Sequence, residues 1–137
     1  MRIVAGSILA AACLAIALGA PAQTRKTQAE NLDRYEKYLG DPIDEFQFWP
    51  PLYKWELVGP TKVVVWPTIN EAYLITVNEP CPRLEWAKAI GVTSQQRHYV
   101  NRKFDYVTYG GDRCQIREIR PIDYRTMLKD GPPPKAQ

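Results

Sequence analysis

Two cysteines, Cys81 and Cys114, constrain this chain more than any other feature in it. The chain opens on a leader-like stretch, and an exported chain meets an oxidising compartment in which a lone cysteine pair joins. The two are 33 residues apart. Closing such a loop removes roughly 3.7 kcal/mol of chain entropy from the unfolded state, against a total stability of about 5 to 15 kcal/mol for an ordinary domain. A metal site built from the pair with His98 is short of a fourth ligand and lacks the close ligand spacings zinc requires, so no metal is expected.

The leader is Met1 to Ala22: one charge at Arg2, an apolar run from Ile8 to Leu18, and Ala20 and Ala22 in an Ala-x-Ala pattern. Its apolar core is about half the ~20 residues of a membrane-spanning helix, so the expectation is a cleaved signal peptide, a periplasmic protein and no membrane anchor after cleavage. Lipidation at Cys13 is disfavoured, because Ala10, Ala11 and Ala12 precede it and the apolar run continues past it. Cleavage after Ala22 leaves 115 of the 137 residues, the size of one domain, here 23–130, with a disordered tail at 131–137. Removing Arg2 takes Lys plus Arg from 18 to 17 against 15 Asp plus Glu, a formal charge of +2. That lacks the basic excess of a nucleic-acid binder. No phosphate-cradling glycine loop or nucleophile motif is present, and no cofactor is implied.

Apolar residues at Leu32, Tyr35, Tyr38 and Leu39 predict an amphipathic helix over 27–39, with Gly40 as its cap. Alternation at Phe46 and Phe48, then at Tyr53, Trp55 and Leu57, predicts strands around Pro50 and Pro51. The run Lys62 to Trp66 reads as a central strand buried on both faces, followed by a turn over 67–71 and a partner strand over 72–77. Pro82, Leu84, Ala87 and Ile90 predict a two-turn helix capped by Cys81. Phe104 to Tyr109 and the strand carrying Cys114 and Ile116 form a hairpin turned by Gly110 and Gly111. The three-residue step from Ile116 to Ile119 predicts a bulge near Arg117 or Glu118, with Pro121 ending the strand. A last helical turn over 123–129 puts Tyr124, Met127 and Leu128 on one side. The fold class expected is α+β: an antiparallel sheet of five or six strands, flat or curled toward a barrel, two or three short helices and one disulfide.

Two surfaces are candidates for function. Among five aromatics between Ile43 and Trp55, Trp49 beside the diproline is best placed to form an exposed platform with Tyr53, the alternative being that all five wrap the core. Arg97, His98, Arg102 and Lys103 form the most basic local cluster, read either as a solvated strand edge or as an anion contact.

Trp55, Val63-Val64-Val65-Trp66, Tyr73-Leu74, Cys81 with Leu84, Ile90-Gly91-Val92-Thr93-Ser94, Phe104-Asp105 and Cys114-x-Ile116-x-x-Ile119 occur in an order that resembles an uncharacterised family of small exported Gram-negative bacterial proteins, domain-of-unknown-function 6491. The resemblance covers Phe46 to Ile122, leaves out the helix over 27–39 and the tail, and implies export, the Cys81 to Cys114 bridge and one domain. It implies no activity and no functional residue. The reading that results is a non-enzymatic periplasmic binding or accessory protein contacting a protein or an envelope polymer. Two alternatives stand beside it. One is a small periplasmic hydrolase whose groups, with Asp105, His98 and Glu118 the nearest to suitable, assemble only on folding. The other is an inhibitor-like domain projecting Trp49, Pro50 and Pro51.

Overall fold

The computed structural model describes residues 25–131. The signal peptide expected at Met1 to Ala22, Cys13 within it, and all of the expected tail except Gly131 lie outside the described residues. In chain order the elements are α1 (Arg25–Glu36), β1 (Glu45–Gln47), β2 (Lys54–Gly59), β3 (Lys62–Thr68), β4 (Glu71–Val77), β5 (Gly91–Val92), β6 (Tyr99–Asn101), β7 (Tyr106–Tyr109), β8 (Asp112–Ile122) and α2 (Tyr124–Asp130). A six-stranded antiparallel sheet runs β2-β3-β4-β8-β7-β5 and curls into a half-barrel, while β1 and β6 pair as a separate ribbon. The architecture is therefore mostly β with two helices, and the α+β expectation is corrected to that extent.

The run Lys62 to Trp66 is buried on both faces as its β-branched pattern requires, yet β3 lies second from the sheet edge and is not central. Continuous burial comes from what covers it. Val63 and Val65 face the main core with Leu57, Ile75, Ile116 and Ile119, whereas Val64 and Trp66 face a second cluster completed by Tyr35 of α1 and Met127 of α2. Helices on the outer face make a near-edge strand as apolar as an internal one. Pro67 also stays within β3, where the register against β4 shifts between Val65 and Thr68, a bulge that tolerates its missing N–H.

β8 organises the sheet because its partners change along its length. Residues 112–115 pair with β7, and residues 116–122 pair with β4. The register slips between Thr76↔Glu118 and Val77↔Ile116, so Arg117 is the extra residue of the expected bulge. Beyond it, Leu39 and Ile43 bridge to Ile122 and Ile119 on the side that β7 leaves free. Pro121 therefore does not end the strand. Its carbonyl accepts from the Gly40 N–H at 2.8 Å, and the Gly40 carbonyl, which a non-proline N–H would have satisfied, accepts from Arg120 Nε at 2.9 Å. Gly40 is accordingly no helix cap: a Cβ there would sit 3.0 Å from Pro121 Cγ, so the close strand approach is what requires glycine.

That pairing also ends α1 at Glu36, earlier than the expected 39, since Leu39 is taken by Ile122. Asn31 and Tyr35 of α1 both donate to the Glu56 carboxylate on β2, and burial, aided by that bond, raises the Tyr35 hydroxyl's pKa. The helix expected after Pro82 is a single 3-10 turn, Leu84–Trp86. Cys81 does not cap it; Arg83, left-handed at φ 62°, precedes it instead. Only Leu84 of that turn is buried, and one anchor in so short a segment does not offset helix nucleation. The turn at Gly110 and Gly111 is as expected, both glycines having the positive φ (52° and 85°) of a two-residue hairpin loop.

α2 is longer than a single turn, and Leu128 is 55% exposed, off the face that Met127 buries. Asp123 caps α2, accepting from the Thr126 hydroxyl at 2.7 Å and from the Thr126 N–H, which hold its carboxyl below the ordinary aspartate range. A carboxyl depressed on folding stabilises above its unfolded pKa and loses that contribution as pH falls through the folded value. The Asp123 carboxyl carbon is expected to titrate below an ordinary aspartate by NMR, with amide protection in α2 falling in step; an unshifted midpoint would remove the capping role.

Candidate functional site

The ribbon pairs Glu45↔Asn101, Phe46↔Val100 and Gln47↔Tyr99, with Phe46 and Val100 buried in the main core and the other four facing away. It continues as the Phe48 N–H bonds the His98 carbonyl at 2.8 Å, and it closes in a tight turn where the Tyr99 N–H bonds the Gln96 carbonyl at 3.0 Å. The Ser94 hydroxyl lies 2.8 Å from the Gln96 carbonyl and 2.7 Å from the Tyr99 carbonyl, so its one proton is shared between the two at the turn's mouth. His98 sits in it at φ 65°, a left-handed conformation that disfavours most side chains. Its imidazole stacks on the Trp49 indole, centroids 3.5 Å apart and planes 21° off parallel. Trp49 is still 57% exposed, so its second face is open to solvent.

Of the expected site residues, the structure brings Trp49 and His98 together, with Arg97 next to them in the turn. Tyr53 is exposed, but its N–H bonds the Trp66 carbonyl at the entry to β2, and no ring contact among the described residues joins it to Trp49. Of the five clustered aromatics, Phe46 and Phe48 lie in the core, Trp55 is half-buried against it, and Trp49 and Tyr53 point out. The basic cluster is divided. Arg97 and His98 lie at one end of β6 and Arg102 and Lys103 at the other, roughly 10 Å of strand apart. Arg102 Nε bonds Asp44 at 2.7 Å and holds that carboxyl below its ordinary range, while Lys103 is tied through its backbone to Asn101 and Gln115.

Asp105, His98 and Glu118 do not converge as an acid/base trio. Asp105 is wholly buried, and both its oxygens are engaged: Oδ1 accepts from the Thr93 hydroxyl at 2.8 Å and the Gln95 N–H at 2.9 Å, Oδ2 from the Asn101 N–H at 2.7 Å. It is the tie that holds residues 93–101, and with them the His98 turn. No hydrogen bond among the described residues links the His98 imidazole to a carboxylate, and Glu118 lies on β8 in a shallow cleft with Arg102 and Arg117.

Cys81 and Cys114 meet at disulfide-bonding distance, Cα atoms 5.9 Å apart. The Tyr109 hydroxyl donates to the Pro82 carbonyl at 2.8 Å and lies within 3.4 Å of both sulfurs, and burial raises its pKa. No group of three His, Cys, Asp or Glu side chains able to hold a metal occurs among the described residues, and no helix there is long and apolar enough to cross a membrane.

The His98 conformation was not legible in the sequence. Histidine is one of several residues found at positive φ, and nothing in Gln96-Arg97-His98-Tyr99 marks a turn as glycine would. Tyr99, also exposed beside Gln47 on the outward ribbon face, was likewise missed.

A family model described as a family of unknown function (DUF6491) matches residues 4–130. The match takes in α1, which the landmark residues had left outside. No curated protein and no solved structure matches the chain.

Proposed function

We propose that this chain, which belongs to that family of unknown function, is a non-enzymatic periplasmic binding or accessory protein whose contact surface is the Trp49 and His98 platform. The observation that carries the reading is the strained turn. A glycine at residue 98 would relieve the left-handed backbone, so a histidine there needs a use for its side chain, and among the described residues the ring it stacks on is Trp49. Backing one indole face with a parallel imidazole holds the other face still and open, which lowers the ordering entropy a ligand must overcome. The ribbon is anchored through Phe46, Phe48 and Val100, so the platform rides on the core.

Trp49→Ala is expected to unfold within about 0.5 kcal/mol of the parent, as exposed sites usually do. It should lose the retention that the parent shows on purified envelope polymers or on a cross-linked envelope protein. Equal retention of parent and variant would discard the platform. His98→Gly should change stability by no more than about 1 kcal/mol, since relief of the left-handed strain offsets the added chain freedom. It should shift the Trp49 indole N–H resonance and weaken retention; an unchanged resonance would show that the stack is absent in solution.

The exposure of Trp49, Pro50 and Pro51 together favours one second reading, an inhibitor-like loop offered to a protein cleft. In that case Pro50→Ala and Pro51→Ala would weaken binding as much as Trp49→Ala, which a platform acting through the indole face does not require.

A further inference from the structure

Resting on the platform reading, we infer that the open face of Trp49 receives a pyranose ring that carries a carboxylate, with Arg97 as the anion's partner. Three observations support this ligand class. The receiving surface is a slab, an indole lying parallel on an imidazole at 3.5 Å, and the clefts lined by Pro42, Asp44 and Glu118 or by Ile90, Gly111 and Arg113 lie elsewhere. The exposed indole is a flat electron-rich face, which suits the C–H face of a sugar ring, whereas a quaternary ammonium calls for a cage of several rings.

The charges at the two ends of the ribbon are met differently: acids and bases occur together at one end, with Arg102 and Lys103 beside Asp44 and Glu45. Asp44 and Glu45 lie at the end remote from the turn, and both are engaged, Asp44 by Arg102 and Glu45 by the Asn101 amide at 3.2 Å. Arg97 and His98 occupy the turn itself. Arg97 is exposed and, unlike Arg25, Arg83 and Arg102, forms no ion pair among the described residues. Arg97 is the chain neighbour of the stacked His98, and the inferred receptor has two points: the ring supplies area, and the guanidinium supplies a charge-assisted bond to a carboxylate. Gln96, also in the turn, and Gln47, facing out on β1, add amides suited to sugar hydroxyls.

The test uses the full mature chain and two probes that share the sugar rings but differ at the carboxyl, trigalacturonic acid and its uncharged methyl ester, followed through the Trp49 indole N–H resonance. The acid is expected to bind about tenfold more tightly than the ester, as one charged hydrogen bond allows, and less tightly as salt rises. Arg97→Gln should erase the difference between acid and ester, and Trp49→Ala should abolish binding of both. Equal affinity for acid and ester, or a preference that survives Arg97→Gln, would overturn the acidic-sugar inference and leave the platform standing. Failure of both sugars to bind while an envelope protein is still retained through Trp49 would overturn it too. Failure of Trp49→Ala to change any retention would remove the platform and the inference together.

Discussion

Reduction of the Cys81 and Cys114 pair is expected to cost the protein about 3 to 4 kcal/mol. The closed loop of 33 residues contains β5, β6 and β7, so its opening frees the whole segment that carries the His98 turn. Cys114 is 7% exposed on β8, directly across from Val107, and Cys81 lies just beyond the end of β4. The bridge therefore ties the loop following one central strand to its neighbouring strand. In urea, the reduced chain and the Cys81→Ala/Cys114→Ala double variant should each show an unfolding free energy lower than the oxidised parent's by that amount. The melting temperature should fall on the order of 15 °C for a domain of this size. Coincident curves would mean that the thiols do not pair in solution or that the reduced chain keeps the same loop closed.

Asp105→Ala is expected to destabilise by a comparable 3 to 5 kcal/mol, because it strands three donors that the buried carboxylate alone satisfies: the Thr93 hydroxyl and the Gln95 and Asn101 N–H groups. Asp105→Asn is informative in a different way. The side-chain amide can accept on one side only and must turn an NH2 toward an N–H on the other, so about 2 kcal/mol should be lost with the shape kept. Denaturant unfolding measures both losses. Hydrogen exchange at Gln95 and Asn101 should accelerate before global unfolding in the asparagine variant, and the Trp49 indole resonance should shift as the turn loosens. Asp105→Ala unfolding at the parent's midpoint would show that the carboxylate does not organise the loop.

How far the sequence led can be judged from β8 and its surroundings. The three-residue step from Ile116 to Ile119 was enough to expect a bulge near Arg117 or Glu118, because period two is strict wherever one face is buried, and the pairing with β4 puts it at Arg117. The Gly110-Gly111 turn was equally plain, since two consecutive positive φ values have few other residue choices. Pro121 misled, because a missing N–H terminates a strand only if no other donor serves the partner carbonyl, and Arg120 serves it. Pro82 to Ile90 misled for the opposite reason. Their spacing matched a helix face, and Leu84, Ala87 and Ile90 do pack against the core, but from one 3-10 turn that gives way to extended backbone at Ala87.

Local pattern, then, determined what a chain with this sequence must bury: the valines of β3, the alternating residues of β4 and β8, and the cysteine pair, which meets at disulfide-bonding distance. Those features depend on near neighbours and on periodicity, which the sequence displays directly. The tertiary structure alone decided that helices cover the outer face of β3, that the basic cluster is split across β6, and that Asp105 ties a loop. It also decided that Trp49 meets His98, 49 positions along the chain. That contact depends on two distant segments pairing as a ribbon and on one residue adopting positive φ. Neither leaves a periodic trace in the amino-acid order.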